Sequence, residues 1–282
     1  APPGARVVNQ WRLGGALPGA LGLDPPIQSL FVYNSNPLVV APDQLRLKEG
    51  LAREDLFTVV SEHFLTDTAR YADIVLPATT RVEQLDLMFS WGHLYLTYNR
   101  PAIAPLGEAV PNSELFRRLA RTMGLDDDPY FQRSDEQILL EAVDWDSPAM
   151  QGITLEQLQQ QGWARLNLPA ADVYAPHAQG AFPTPSGKVE LQASMAAGGN
   201  FVLPTFRQGS NDHQDGSPVP ALPTWVAPRE SGLGHTAGDS GYPLAMMSPK
   251  SHAFLNSTYS NHRRQAAREG EQKILLHPSD AD

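Results

Sequence analysis

Three short apolar runs, each closed by polar turn residues, limit what this chain can fold into more than any other feature. Ser29–Tyr33 reads SLFVY and stops at Asn34-Ser35-Asn36-Pro37. Leu56–Val60 reads LFTVV and leads into Ser61-Glu62-His63, and Ile74–Leu76 is stopped by Pro77. Runs this short, rich in β-branched and aromatic residues, suit buried strands. Between the first two, Asp43 stands where a cap opens a helix carrying Leu45, Leu47, Lys48 and Leu51. Between the second and third, Thr66–Ala72 has room for a short helix. Strand, helix, strand, helix, strand predicts parallel crossovers and a doubly wound α/β sheet.

Downstream the pattern changes to helix. Asn112 is placed to cap a helix whose Leu115, Phe116, Leu119, Ala120 and Met123 share a face, with Gly124 at its end. Ser134 with Gln137, and Thr154 with Gln157, have capping-box spacing, and Gly162 is placed to end the second of these helices. Residues 126–170 are therefore expected to be largely helical, with Gln151–Trp163 a packing helix. Residues 204–241 are rich in Gly, Ser, Pro and Asp without periodicity, which reads as a long linker or surface excursion at a domain boundary. Beyond it, Tyr242–Met247 and Lys273–Leu276 read as strands.

Composition narrows the function classes. The net charge of −10 argues against non-specific binding to nucleic acid or anionic lipid. There are no cysteines, so disulfides, thiolate zinc sites and cysteine-held iron–sulfur clusters are excluded within these residues. The eight histidines form no HxxxH or HExxH pair, and no metal site is expected from this chain alone. No apolar run has the length of a membrane span. Ala1-Pro2-Pro3-Gly4 has no basic region followed by an apolar stretch, so no signal peptide is read and a cytoplasmic location is expected. Both ends read as cut, the second directly after a His-Pro turn. GxGxxG, GxxxxGK[ST] and GxSxG motifs are missing, so a standard dinucleotide, ATP or hydrolase site is unsupported.

Ligands of α/β sheets bind outside the carboxyl ends of the strands. There, Asn34, Ser35 and Asn36 suit hydrogen bonds to a purine or ribose, and turn N–H groups suit phosphate. The competing reading is an ordinary turn, since these residues are common turn formers. A carboxylate at Glu62 suits a ribose or a guanine amino edge, with a solvated loop as the alternative.

More specific patterns overlie these elements. Residues 64–77, FLTDTARYADIVLP, resemble the TxTAxxADxVLP segment of the dimethyl sulfoxide reductase superfamily of molybdopterin oxidoreductases. Phe31–Pro37 resembles that family's strand ending in NP, and Glu83 matches a family acid. Pro105-Leu106-Gly107-Glu108-Ala109, Asn112-Ser113-Glu114 and Leu119-Ala120 follow its P-GEA…N-E…LA stretch. Phe182–Leu191 matches a TPSGKxE hairpin. Tyr242-Pro243-Leu244, Ser248-Pro249-Lys250, Leu255–Thr258 and His277–Ala281 resemble the start of a C-terminal cofactor-binding barrel. The blocks run in family order from about residue 27 onward.

The resemblance implies a Rossmann-like cofactor-binding α/β region over 1–125 and a mainly helical segment plus the hairpin over 126–203. It implies a linker over 204–241 and the start of a double-psi-type β-barrel over 242–282. It implies a bis(molybdopterin guanine dinucleotide) cofactor holding molybdenum or tungsten. Asn34, Ser35, Asn36, Ser61, Glu62 and Asn112 would line the guanosine end of one dinucleotide. Relatives often have aspartate near Ser61 and Glu62, where this chain has the longer glutamate. Ser248, Lys250, Ser251, His252, Asn256 and Ser257 match the loop passing near the pterins, with an exposed loop the alternative for Lys250 and His252. Glu83 either belongs to the site or pairs structurally with an arginine. Small residues around Thr68-Ala69 and Ala72-Asp73 read as packing, with Asp73 receiving backbone donors.

By resemblance, the metal ligand and a 4Fe-4S cluster lie upstream of these residues. The segment itself is then inactive. The resemblance implies that the intact protein carries out two-electron or oxygen-atom chemistry on a small-molecule substrate, with an iron–sulfur electron-transfer subunit as partner. The rival reading is a non-catalytic scaffold like the large iron–sulfur subunit of respiratory NADH dehydrogenase.

Overall fold

The structure, a computed structural model, describes residues 4–170, 173–199, 202–204, 214–225, 244 and 246–281. The chain divides into two compact units, one of residues 27–175 and one of residues 1–26 with 176–282.

In the first unit, strands β1 (Ser29–Tyr33), β2 (Phe57–Glu62) and β3 (Ile74–Pro77) form a parallel sheet in the order β1-β2-β3. Tyr33 stands beside Ser61, and Ser61 beside Leu76, so the three carboxyl ends come level. Val32, Val60 and Ala69 are buried together, with Leu30 and Ala72 against them. Ala69 belongs to a 3-10 turn, Ala69–Tyr71, which is all that forms of the helix expected over Thr66–Ala72. Small residues let this turn lie close on the sheet. Asp73 Oδ2 accepts from Thr58 N at 2.7 Å, the backbone donor expected of it. The three strands follow chain order, so the reversal that defines a doubly wound sheet is not among the described residues.

Helix α1 (Gln44–Leu51) crosses between β1 and β2 and buries Leu47 and Leu51. Asp43 precedes it in the left-handed region (φ 59°), and its side chain makes no cap hydrogen bond. It lies 3.9 Å from Arg46 instead. The capping expected of Asp43 is therefore corrected: a cap needs extended backbone to aim its oxygen at the first turn.

A second sheet, antiparallel, was not legible in the sequence. It consists of β4 (Asp86–Phe89), β5 (Tyr95–Asn99) and, farther along, β6 (Trp163–Arg165). Helix α2 (Asn112–Thr122) follows β5 in the chain, then α3 (Asp135–Ala142) and α4 (Leu155–Gln161). The Ser134–Gln137 box closes in both directions, and Thr154 Oγ1 accepts from Gln157 N at 3.1 Å. Gly162 ends α4 at φ 79°, a conformation open to glycine.

Residues 126–134, 143–147 and 151–154 run as turns and loops and Trp163 enters β6, so the largely helical reading of residues 126–170 is corrected, and the helix read over Gln151–Trp163 shortens to Leu155–Gln161. The unpaired edge of β5 supplies the ladder that Trp163–Arg165 takes. Leu96, Tyr98, Met150, Leu158 and Ala164 form the core beneath this sheet, joined by Leu87, Leu139, Val143 and Trp145. Burying one such leucine stabilises by about 1.5–3 kcal/mol.

In the second unit, β7 (Val202–Pro204) pairs antiparallel with β8 (Gln214–Pro218). Part of the expected linker over 204–241 is thus in a ladder. Its remaining residues lie mostly outside the described ones. The TPSGK segment is a turn without strands: Gly187 takes φ 66°, and Thr184 Oγ1 donates to Lys188 O at 2.7 Å. Lys273–Leu276 is not a strand, because no described segment offers it a ladder partner. For the expected strand over 242–247, Tyr242, Pro243 and Ala245 lie outside the described residues, and Leu244, Met246 and Met247 are not in a strand. Helix α5 (Arg263–Glu269) is the longest helix among the described residues of this unit.

Candidate functional site

The carboxyl ends of β1, β2 and β3 gather six of the twelve residues that the sequence singled out. Asn34 leaves β1 in the left-handed region at φ 53°, which asparagine tolerates better than most residues. Its Oδ1 accepts from Asn112 Nδ2 at 3.0 Å. Asn112 is not the cap of α2: Pro111 holds that position with φ −60°, and Asn112 is the first helical residue. Proline pre-sets the backbone there, which leaves the Asn112 amide to reach across to the sheet. Ser35 follows in the same turn.

Asn36 is 5% exposed. Its Oδ1 accepts from Thr68 Oγ1 at 2.6 Å, and Thr68 Oγ1 accepts in turn from Leu38 N at 3.0 Å. The Asn36 Nδ2 group is buried without a hydrogen-bond partner. An unmade buried hydrogen bond costs about 1–3 kcal/mol, so a donor left open at a strand end suits a ligand acceptor.

Ser61 is buried at the end of β2, and Glu62 stands next to it, partly exposed. Glu62 Oε1 accepts from His63 N at 2.7 Å and lies 3.7 Å from His63 Nδ1. The His63 Nε2 group meets Thr79 O at 2.8 Å, tying the end of β2 to the loop after β3. Beyond that loop, Glu83 is buried and accepts from Thr80 Oγ1, Thr80 N and Leu106 N, each at 2.7 Å. The Thr80 hydroxyl first, then these two backbone donors, hold its carboxyl below the ordinary glutamate value, and the His63 ring adds to the effect. Glu83 thus pairs with loop donors rather than with the arginine the sequence allowed. It is an architectural acid that closes a capping box.

Thr68, His63 and Thr79 enter this edge without having been singled out as site residues. Thr68 lies inside the TxTAxxAD pattern, and that was its only available signal. His63 was legible as a strand-end residue, but nothing local announced its partners.

The other six residues lie in the second unit. Ser251 Oγ accepts from Ala253 N at 3.0 Å and from Phe254 N at 3.3 Å, and its hydroxyl donates to Glu269. It is thus engaged in holding its own turn. Asn256 takes φ 53° inside the turn bridged by Leu255 and Thr258. Ser257 O accepts from Ser260 Oγ at 2.7 Å. Ser248 and Lys250 lie before these turns and His252 within the Ser251 turn, and all three are exposed. Among the described residues, no cluster of three or more His, Asp or Glu side chains is placed to hold a metal ion. No helix there is long and apolar enough to cross a membrane.

Comparison with known proteins bears on this arrangement. A family model described as molybdopterin oxidoreductase matches residues 19–122. The probable oxidoreductase YoaE of Bacillus subtilis is 37% identical over 278 residues, covering 98% of this chain and 36% of that protein. The dimethyl sulfoxide/trimethylamine N-oxide reductase of Rhodobacter capsulatus is 26% identical over 307 residues, covering 99% of this chain and 34% of the reductase. The solved structure of acetylene hydratase from Pelobacter acetylenicus shares the fold at a TM-score of 0.63 and 24% identity, over 91% of this chain and 32% of the hydratase. The chain therefore spans about a third of the length of these relatives.

Proposed function

We propose, from the premise that this chain belongs to the dimethyl sulfoxide reductase superfamily of molybdopterin oxidoreductases, that it forms part of the cradle for a bis(molybdopterin guanine dinucleotide) cofactor. The observation that carries this reading is the buried, unpartnered Nδ2 donor of Asn36 at the carboxyl edge of a parallel sheet. Around it stand amides, a hydroxyl and a carboxylate, a donor and acceptor set suited to a nucleoside.

In this reading Asn34, Ser35, Asn36, Ser61, Glu62 and Asn112 hold the guanosine end of one dinucleotide. Ser248, Lys250, Ser251, His252, Asn256 and Ser257 belong to the loop near the pterins. Lys250 offers a point charge for phosphate, and Ser251 contributes by shaping the turn. Residues 1–125 serve as the dinucleotide-binding region and 242–282 open the second cofactor-binding domain. When bound, the metal–pterin group supplies two-electron or oxygen-atom-transfer chemistry; these residues bind it, orient it and limit water around it. A 4Fe-4S cluster, a small-molecule substrate and a partner electron-transfer subunit belong to the whole protein in the same proposal. The relatives carry names as different as a reductase and a hydratase, so the substrate is not read from the family.

The test is cofactor content. The full polypeptide is purified from a host that makes the pterin, with metal measured by mass spectrometry and oxidised pterin by fluorescence. The expected result is about one molybdenum or tungsten and about two pterin dinucleotides per polypeptide. Neither metal nor pterin overturns the reading and favours the scaffold alternative.

A further inference from the structure

His63 has no ligand-facing role among those assigned so far, yet its ring is held in one orientation at the same sheet edge. A carbonyl oxygen only accepts, so the 2.8 Å contact with Thr79 O requires that Nε2 carry the proton. In the neutral ring this fixes the tautomer and leaves Nδ1 as an acceptor. That acceptor lies 3.7 Å from Glu62 Oε1, too far for a mutual hydrogen bond. Oε1 is held in place by the His63 backbone N–H at 2.7 Å. The Glu62 carboxylate is 17% exposed and the His63 ring 44% exposed, so both open to solvent. With the ring neutral, two acceptors are thus set side by side at the end of β2, each braced by the backbone, with no shared donor between them.

Such a pair is unfavourable when empty, because two lone-pair groups face one another across less than 4 Å. It becomes favourable when a ligand brings two adjacent donors. We propose that His63 is a specificity-determining residue: its Nδ1 and the Glu62 carboxylate together accept from one adjacent donor pair on the bound nucleotide. This rests on the reading of the edge as a nucleotide cradle. Two parts of a guanine nucleotide offer such a pair, the N1–H and amino group of the base and the two hydroxyls of the ribose. The Thr79 brace acts before binding, since it removes the ring rotation that would otherwise turn a donor toward Glu62.

The test uses the full polypeptide produced without pterin and titrated calorimetrically with GDP, IDP and 2′,3′-dideoxy-GDP. IDP lacks the amino group and the dideoxy nucleotide lacks the diol. GDP is expected to bind about tenfold more tightly than one of the two analogues, which identifies the donor pair. His63→Gln keeps a donor for Thr79 O but has no Nδ1. It is expected to abolish that preference while leaving the melting temperature close to the parent's. His63→Asn, which returns an oxygen acceptor near the Nδ1 position, is expected to restore part of it. Full retention of the preference in a folded His63→Gln protein overturns the proposal. So does a wild type that binds all three nucleotides equally. A wild type that binds none of them counts against the cradle itself, which separates the two failures.

Discussion

The Asn112 amide donates to Asn34 Oδ1 at 3.0 Å, so the first residue of a helix is tied to the residue that leaves strand β1, 78 positions earlier. This link ties down the start of the turn that carries Ser35 and Asn36, and Asn36 is held separately through Thr68.

The Asn34 backbone makes the first prediction. At φ 53°, Asn34→Gly keeps the conformation and loses one exposed hydrogen bond, an expected cost of about 0.5–1 kcal/mol. Asn34→Ala loses the same bond and adds left-handed strain, so it is expected to be about 1 kcal/mol worse than the glycine variant. Urea midpoints of the two proteins check the order. Equal midpoints would contradict the assigned backbone.

Thr68 is fully buried and relays between Leu38 N and Asn36 Oδ1. Thr68→Val keeps the shape, strands Leu38 N and leaves Asn36 Oδ1 with only the long contact from the residue 68 backbone N–H at 3.4 Å, and is expected to destabilise by about 2–4 kcal/mol. Thr68→Ser keeps the hydroxyl and is expected to lose about 1 kcal/mol, for the missing methyl group. Thermal or chemical unfolding distinguishes them. A valine variant as stable as the serine variant would remove the relay from the account.

Glu83 links stability to acid. Its folded pKa lies below the ordinary value of 4.5, first through the Thr80 hydroxyl and then through two backbone donors. A depressed carboxylate stabilises the fold fully above its unfolded value and loses that contribution as pH falls through the folded one. The stability gap between the wild type and Glu83→Gln is therefore expected to be widest above pH 4.5 and to narrow below it. Urea midpoints across that range report the gap. A constant gap would mean that Glu83 contributes shape and not charge.

Leu158 and Leu96, both fully buried beneath the antiparallel sheet, test the core. Truncating either to alanine is expected to cost about 2–5 kcal/mol. The parallel sheet has its own core around Val60, so a probe placed there is expected to respond less than one beside Trp163. Fluorescence of Trp163, with the other four tryptophans replaced by phenylalanine, follows the antiparallel sheet directly.

Much of the first unit was legible in the residues alone. Three short apolar runs with polar stops sufficed for β1, β2 and β3, because burial and turn chemistry act within a few residues. Gly162 and the Ser134–Gln137 box ended and opened helices for equally local reasons. The strand-end residues were legible for the same cause: whatever follows a parallel strand is carried to the edge where ligands bind.

Tertiary structure decided what depends on partners distant in the chain. Trp163–Arg165 became a strand because β5 had an open edge, a fact with no trace in the WAR sequence. Asn112 became a cross-link rather than a cap because Pro111 took the cap position and Asn34 lay within reach. Asn36 met Thr68 across 32 residues, and Thr79 O selected the His63 tautomer across 16. Periodicity and turn signals arise from neighbours along the chain. Hydrogen-bond partners that are brought together only by sheet register leave no such signal, and they are the ones that shape the candidate site.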